Sequence, residues 1–286
     1  MFINDLPNEV SNSTHCKIFA DDTKLYRPSK DYLLLQEDIN NLLKWADKWK
    51  MEFNKEKCKI LHIGKCNNRY IYLMGNINMA KVEYEKDIGV YFDQNLNFDY
   101  HIDKCIKDAN RLVGLVRRCF TGLDRSSALM LYKSLIRSKL EYANIIWNPI
   151  YKRQSRQIEK VQKRAIKQIC KLKNNSYSEK LQELKLPSLE YRRTRNDLIQ
   201  TYKIINSKES LNTADFFTIG RFSRNDNRRL NVQRSNTNVR QHFFGNRVVK
   251  LWNKLSRDTK YASDINIFKA SVDRELSHLM YKSELN

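Results

Sequence analysis

The chain has 286 residues, 41% of them hydrophobic, with only 7 Gly and 4 Pro. It is long enough to bury cores in two domains and too poor in Gly and Pro for a low-complexity linker. Lys and Arg outnumber Asp and Glu 53 to 32. No apolar run approaches a membrane span and the N-terminus lacks a secretory pattern, so an intracellular, non-secreted protein with no membrane partner is expected.

The predicted elements run in this order. A short helix precedes two β-prone segments, His15–Phe19 and Thr23–Tyr26, separated by Ala20-Asp21-Asp22. Residues 31–50 predict a helix, because Leu35, Ile39, Leu42, Ala46 and Trp49 recur at helical spacing. A turn at Asn54–Lys57, a strand through residues 58–63 and a second β segment at Val82–Phe92 follow. Residues 99–205 predict helices, with apolar stripes at Ile102, Ile106, Ala109, Val113 and Val116, then at Leu129, Tyr132, Leu135, Ile136 and Leu140. Ile158, Val161, Ala165, Ile166 and Ile169 form a third stripe, opposite a face of Lys and Arg. Residues 208–237, rich in Asn, Ser, Thr and Arg, predict a mobile linker or basic loop with room for one strand. Two final helices are expected over 239–256 and 264–282.

Charge divides the chain. Residues 1–100 hold 14 basic and 15 acidic residues, whereas residues 101–286 hold 39 and 17. The basic part concentrates in Tyr151–Asn175, with nine cations and one acid, and in Arg221–Lys250, with eight and one. Such clustering points to a polyanion such as nucleic acid, bound in a salt-sensitive way. The bland reading is a set of solvated helix faces. The six cysteines, Cys16, Cys58, Cys66, Cys105, Cys119 and Cys170, form no C-x-x-C and no zinc spacing with His. Free thiols are expected. His62, His101 and His242 have no evident partners, so core or surface roles are expected.

Phe19-Ala20-Asp21-Asp22 is the most informative motif. Adjacent carboxylates at a tight turn raise each other's pKa and strain the hairpin. A hard divalent cation removes that penalty. A tetrapeptide of the pattern Phe/Tyr-x-Asp-Asp arises by chance in roughly one chain in ten of this length, so its weight rests on its surroundings.

Those surroundings resemble a known family. The order of Asp-Asp hairpin, helix, Asn54-x-x-Lys57 turn, strand and an Asp87-Ile88-Gly89-Val90 hairpin resembles the second half of a reverse-transcriptase palm. The details are similar to the enzymes of non-LTR, jockey-like retrotransposons. Phe2-Ile3-Asn4-Asp5-Leu6-Pro7 resembles the segment before their Asp-Asp hairpin; the stretch from Leu140 to Pro149, Ile158–Ala165 and Phe243–Leu255 resemble their later helices.

The resemblance implies an α+β protein: a partial palm at 1–98, a helical thumb at 99–205, a basic flexible linker at 206–238 and a C-terminal helical region at 239–286. It implies Asp21 and Asp22 as ligands of catalytic Mg²⁺, and Lys57 as the acid protonating departing pyrophosphate. Phe19 lies beneath the primer end, and Ile88 and Gly89 approach the primer backbone. Lys160, Lys163, Arg164, Lys167, Arg228 and Arg229 are the expected contacts to RNA template and DNA primer. Deoxynucleoside triphosphates are the implied substrates. The family's enzymes place a fingers region, a further catalytic Asp and a Pro-Gln-Gly-type segment before the Asp-Asp hairpin. The sequence is therefore expected to be a C-terminal fragment, inactive alone, with Asp5 assigned to a helix end. The rival expectation is a non-enzymatic nucleic-acid-binding protein derived from the thumb. Oligomeric state is left open.

Overall fold

A computed structural model describes residues 3–169, 175–220 and 226–283. They form two compact units, residues 1–96 and 97–286. Part of each basic cluster, and the Ile169 side chain, lie outside the described residues.

Unit 1 mixes helix with small sheets, the α+β character expected. A 3-10 turn at Leu6–Glu9 leads into strands β1 (His15–Phe19) and β2 (Asp22–Tyr26), which pair antiparallel. Helix α1 spans Tyr32–Lys48 and buries Ile39, Leu42, Trp45 and Ala46. Trp45, rather than the expected Trp49, enters the core; Trp49 begins the helix end and is 41% exposed. The helix stops at Lys50, whose φ of +57° lets Met51 N–H donate to Ala46 O at 2.9 Å.

Strand β3 (Lys59–Leu61) pairs parallel with β6 (Ala80–Val82), and β4 (Leu73–Met74) pairs with β5 (Ile77–Asn78). Strands β7 (Tyr84–Asp87) and β8 (Val90–Asp93) form a hairpin. Two apolar clusters share α1: Leu6, Leu42, Trp45 and Ala46 on one side, and Ile39, Tyr72 and Met74 on the other.

Unit 2 is helical. Helix α2 (Asp99–Cys119) buries Ile102, Ala109 and Val113. Helix α3 (Arg125–Leu131) is N-capped by Asp124, whose carboxylate accepts from Ser126 and Ser127 N–H. It passes through a π-helical turn, Tyr132–Arg137, into α4 (Ser138–Glu141) and α5 (Asn144–Trp147). The π-turn rotates the predicted stripe. Tyr132, Ile136 and Leu140 are buried, whereas Leu135 is 41% exposed. Helix α6 (Lys152–Ile169) packs beside α2, and α7 (Tyr177–Glu183) and α8 (Leu189–Ile205) follow.

The stretch expected to be a mobile linker or basic loop is anchored in the core by Phe217 and Leu230, while most of its other described residues are exposed. Helix α9 (Thr213–Phe216) ends at Phe217, which is 3% exposed. Ile219 and Leu230 form an antiparallel bridge, and Leu230 is 2% exposed. Apolar Phe217 and Leu230, spaced among polar residues, supply the anchors that a composition-based reading overlooks.

The last two helices expected are six short ones: α10 (Asn238–His242), α11 (Phe244–Arg247), α12 (Val249–Lys254), α13 (Arg257–Lys260), α14 (Ile265–Glu275) and α15 (Ser277–Met280). Trp252, Phe268, Val272 and Tyr202 anchor this core. No helix among the described residues is long and apolar enough to cross a membrane.

Candidate functional site

The β1–β2 ladder sets the carboxylates. Phe19 pairs with Asp22, leaving Ala20-Asp21 as a two-residue turn in which Ala20 takes a φ of +54°. Alternation turns Cys16, Ile18, Thr23 and Leu25 toward the interior and Phe19, Asp22 and Lys24 outward. Asp21 and Asp22 are exposed, and Phe19 is 61% exposed. Neither carboxylate has a hydrogen-bond or ion-pair partner among the described residues.

On the same outer face Lys17 stands directly opposite Lys24. Like charges so placed repel. Lys24 is relieved by an ion pair with Asp87, and its ammonium also sits 5.8 Å from the Phe92 ring centroid. Partial burial lowers the Lys24 pKa. Asp87 immediately precedes the turn of the β7–β8 hairpin, so this ion pair joins the Asp-Asp hairpin to the Ile88-Gly89 hairpin. Ile88 and Gly89 have φ of +42° and +84°, the two positive values of a type I′ turn. A β-branched residue is a conformational outlier there, and Ile88 is 56% exposed. Strain of this kind is held by surrounding structure and concentrates at functional turns.

The hairpin's feet are fixed as well. Thr14 precedes β1, Arg27 follows β2, and both meet Asp38 on α1. Asp38 accepts from Ser11 N–H at 2.7 Å, Ser11 Oγ at 2.9 Å and Thr14 Oγ1. Arg27 Nη1 donates to Ser11 Oγ and Thr14 Oγ1, each at 2.9 Å. Sequence reading missed this cluster. Its signal was an acid, Asp38, within the apolar stripe of α1.

Lys57 lies in the turn after α1, where its N–H donates to Asn54 O at 3.1 Å and Oδ1 at 3.2 Å. Its side chain is exposed and makes no hydrogen bond or ion pair among the described residues. The structure brings Phe19, Asp21, Asp22, Ile88 and Gly89 together through linked hairpins, and Lys57 stands outside that linkage, on its own turn. Asp5 stands at the N-terminus of the 3-10 turn but makes no side-chain cap.

The oxygen chemistry of Asp21 and Asp22 suits Mg²⁺. No group of three or more His, Cys, Asp or Glu that could hold a metal occurs among the described residues. The two carboxylates therefore fit as part of a metal's ligand set and fall short of a whole one.

In unit 2, Lys160, Lys163, Arg164 and Lys167 are all exposed on α6, while Ile158, Val161, Ala165 and Ile166 are buried. Arg164 Nη1 donates to Asn110 Oδ1 on α2 at 2.7 Å, and Lys163 lies 5.4 Å from the Tyr177 ring centroid. The inner face also buries Glu159 and Gln162, which the stripe did not foretell. Glu159 accepts from Tyr177 Oη at 2.7 Å and Leu189 N–H at 3.0 Å. Burial raises its pKa, and these bonds hold the rise in check.

Arg228 is partly committed to the fold: it donates to Lys260 O and lies over the Tyr261 ring at 4.2 Å. Arg229 is exposed. Among the histidines, His101 is 3% exposed and meets Trp147 edge-on at 5.1 Å, with burial depressing its pKa to about 4. His62 is buried, and His242 Nδ1 lies 2.9 Å from Asn238 O on the surface.

Residues 1–100 match the family model described as "Reverse transcriptase (RNA-dependent DNA polymerase)". That span contains the Asp-Asp hairpin, the Asn54–Lys57 turn and the Ile88-Gly89 hairpin. A Caenorhabditis elegans protein named "Uncharacterized protein B0403.1" is 29% identical over 126 residues, covering 43% of this chain and 63% of that protein's length. No solved structure matches the chain at a significant level.

Proposed function

We propose that the chain is the late-palm and thumb part of a reverse transcriptase of the non-LTR, jockey-like type. The observation that carries this reading is the family match over residues 1–100, within which the Lys24–Asp87 ion pair ties the carboxylate turn to the Ile88-Gly89 turn. The reaction is templated DNA synthesis: a primer 3′ oxygen bonds to the α-phosphorus of a deoxynucleoside triphosphate and pyrophosphate leaves. Mg²⁺, when bound, neutralises the charge that develops on the phosphate oxygens.

In this reading Asp21 is a metal ligand and Asp22 supports it. The exposed Phe19 ring lines the floor beneath the primer end. Ile88 and Gly89 meet the primer backbone, where the absent Gly side chain allows close approach. Lys57, free to swing from its turn, gives a proton to the departing pyrophosphate. Lys160, Lys163, Arg164 and Lys167 meet backbone phosphates of template and primer, with Arg229 as a further contact, in an intracellular setting.

Two carboxylates are fewer than a two-metal centre takes, so the chain by itself is proposed to be inactive. That same shortfall favours a second reading, a non-enzymatic nucleic-acid-binding protein. Primer extension with Mg²⁺ on a homopolymer RNA template separates them, using this chain alone and joined behind a palm segment carrying a further Asp strand. We expect incorporation only from the joined protein, abolished by Asp21→Asn. Incorporation by the chain alone refutes the incomplete site; nucleic-acid binding with no incorporation from either protein leaves the second reading standing.

A further inference from the structure

Unit 2 carries a second basic strip, separate in sequence from α6 and built on residues 227–233. Asn227 N–H donates to Tyr261 Oη at 3.1 Å. The Arg228 guanidinium lies over the Tyr261 ring at 4.2 Å, and the Arg257 guanidinium lies 5.6 Å from the same ring. Leu230 N–H and O are both held by the Asn253 side chain, at 3.0 and 2.8 Å, and Trp252 Nε1 donates to Arg228 O at 2.8 Å. The backbone is thereby pinned to α12 and α13. Further along, Gln233 Oε1 accepts from Arg240 Nη2 at 2.5 Å, and the Arg240 guanidinium lies over Phe243 at 5.0 Å.

Two arginine–aromatic stacks thus mark the ends of one short run of chain. Arg228 and Gln233 are at most about 18 Å apart along it, even fully extended. Tyr261 and Phe243 are each 38% exposed. Between the stacks the Arg229 side chain is exposed and makes no hydrogen bond among the described residues, while its backbone O accepts from Gly220 N–H at 2.8 Å. Asp226, the acid at the start of the run, is occupied by Lys260 Nζ at 2.6 Å.

Arginine stacked on an exposed ring contributes modestly to stability on its own. Two such stacks flanking an uncommitted cation match a more specific chemistry. Single-stranded nucleic acid offers unpaired base faces for rings and guanidinium planes, with phosphates between them. A duplex hides those faces. We propose that the strip formed by Arg228, Arg229, Arg240, Phe243, Arg257 and Tyr261 binds single-stranded nucleic acid, with bases against the two stacks and a phosphate against Arg229. It shares with the polymerase reading the premise that unit 2 meets nucleic acid, and Arg229 as one contact.

Fluorescence anisotropy of the full chain with labelled oligouridine and with a blunt duplex, at several salt concentrations, tests it. Stacking is insensitive to salt, so Phe243→Leu should weaken oligouridine binding about fivefold or more at every salt concentration without changing the log–log slope. Arg229→Gln, at an exposed position that leaves the fold intact, should make that slope shallower by about 0.7. Phe243→Leu should leave duplex binding unaltered, because a duplex presents no unpaired base face to the ring. Wild-type oligouridine affinity and slope in Arg229→Gln, or equal weakening of oligouridine and duplex binding by Phe243→Leu, would overturn the strip. Primer extension does not enter these readouts, so failure of the polymerase reading remains distinguishable.

Discussion

Arg27 and Asp38 face each other at 3.7 Å inside unit 1, with their side chains 3% and 2% exposed. The pair connects the end of the Asp-Asp hairpin to α1 and sits within hydrogen bonds from Ser11 and Thr14. Removing one member of a buried pair strands the other's charge, at a cost of about 3–5 kcal/mol. Asp38→Ala is therefore expected to destabilise unit 1 by about that amount and to speed hydrogen exchange at β1–β2 amides. Exchange unchanged from wild type would show that the hairpin is held by its apolar face alone.

His101 gives unit 2 a pH dependence. Burial depresses its pKa to about 4 from an ordinary value near 6.5. The neutral ring is favoured in the folded state, so its contribution is fully present above about pH 6.5 and is lost as pH falls through 4. The whole effect is on the order of 3 kcal/mol. The buried carboxyls of Glu159 and Asp197, whose pKa values burial raises, act in the opposite direction: their contribution is fully present at low pH and lost as pH rises through their elevated values. A site-specific readout is needed for that reason. The His101 ring-proton shift should titrate near pH 4, and His101→Leu should flatten unfolding free energy between pH 6.5 and 4. Titration near 6.5 would contradict the buried placement.

Gly245 is required for close packing. A Cβ added there would meet Phe216 O at 2.3 Å, and that atom is backbone. Gly245→Ala must push α9 and α11 apart, and a loss of about 1–3 kcal/mol is expected. Urea unfolding followed by tryptophan fluorescence measures it. Stability equal to wild type would mean that this approach is slack.

The exposed cations of α6 predict a salt signature. Each phosphate neutralised on a duplex contributes a log–log slope of about −0.9. Replacing Lys160, Lys163, Arg164 and Lys167 with Gln should make the slope shallower by roughly one unit for each phosphate no longer neutralised. An unchanged slope in the quadruple variant would remove this helix from the nucleic-acid surface.

Much of the local structure was legible in the residue order. Helix α1 and the buried stripes of α2 and α6 follow from periodicity, because apolar side chains at a fixed spacing demand one covered face. The β1–β2 strands follow from β-prone flanks around Ala20-Asp21, and the β7–β8 hairpin was legible only through the family resemblance. Charge clustering likewise placed Lys160, Lys163, Arg164 and Lys167 on the open side of α6. What periodicity could not supply are partners distant in sequence. Lys24 with Asp87, Arg27 with Asp38 and Arg228 with Tyr261 are each defined only when folding brings separate segments together.

The same limit explains why the anchoring of Phe217 and Leu230 and the shifted faces near Trp45 and Leu135 were not foreseen. Asn- and Ser-rich composition describes a segment's own weak preference for helix or strand. It carries no information on whether Asn253 will hold Leu230 at both its backbone groups. The sequence by itself determined which segments have a face to bury and where charge accumulates, since both depend on neighbours along the chain. Tertiary structure alone decided which polar groups are buried in pairs and which remain free to meet a ligand, because desolvation is set by what packs on top of a residue.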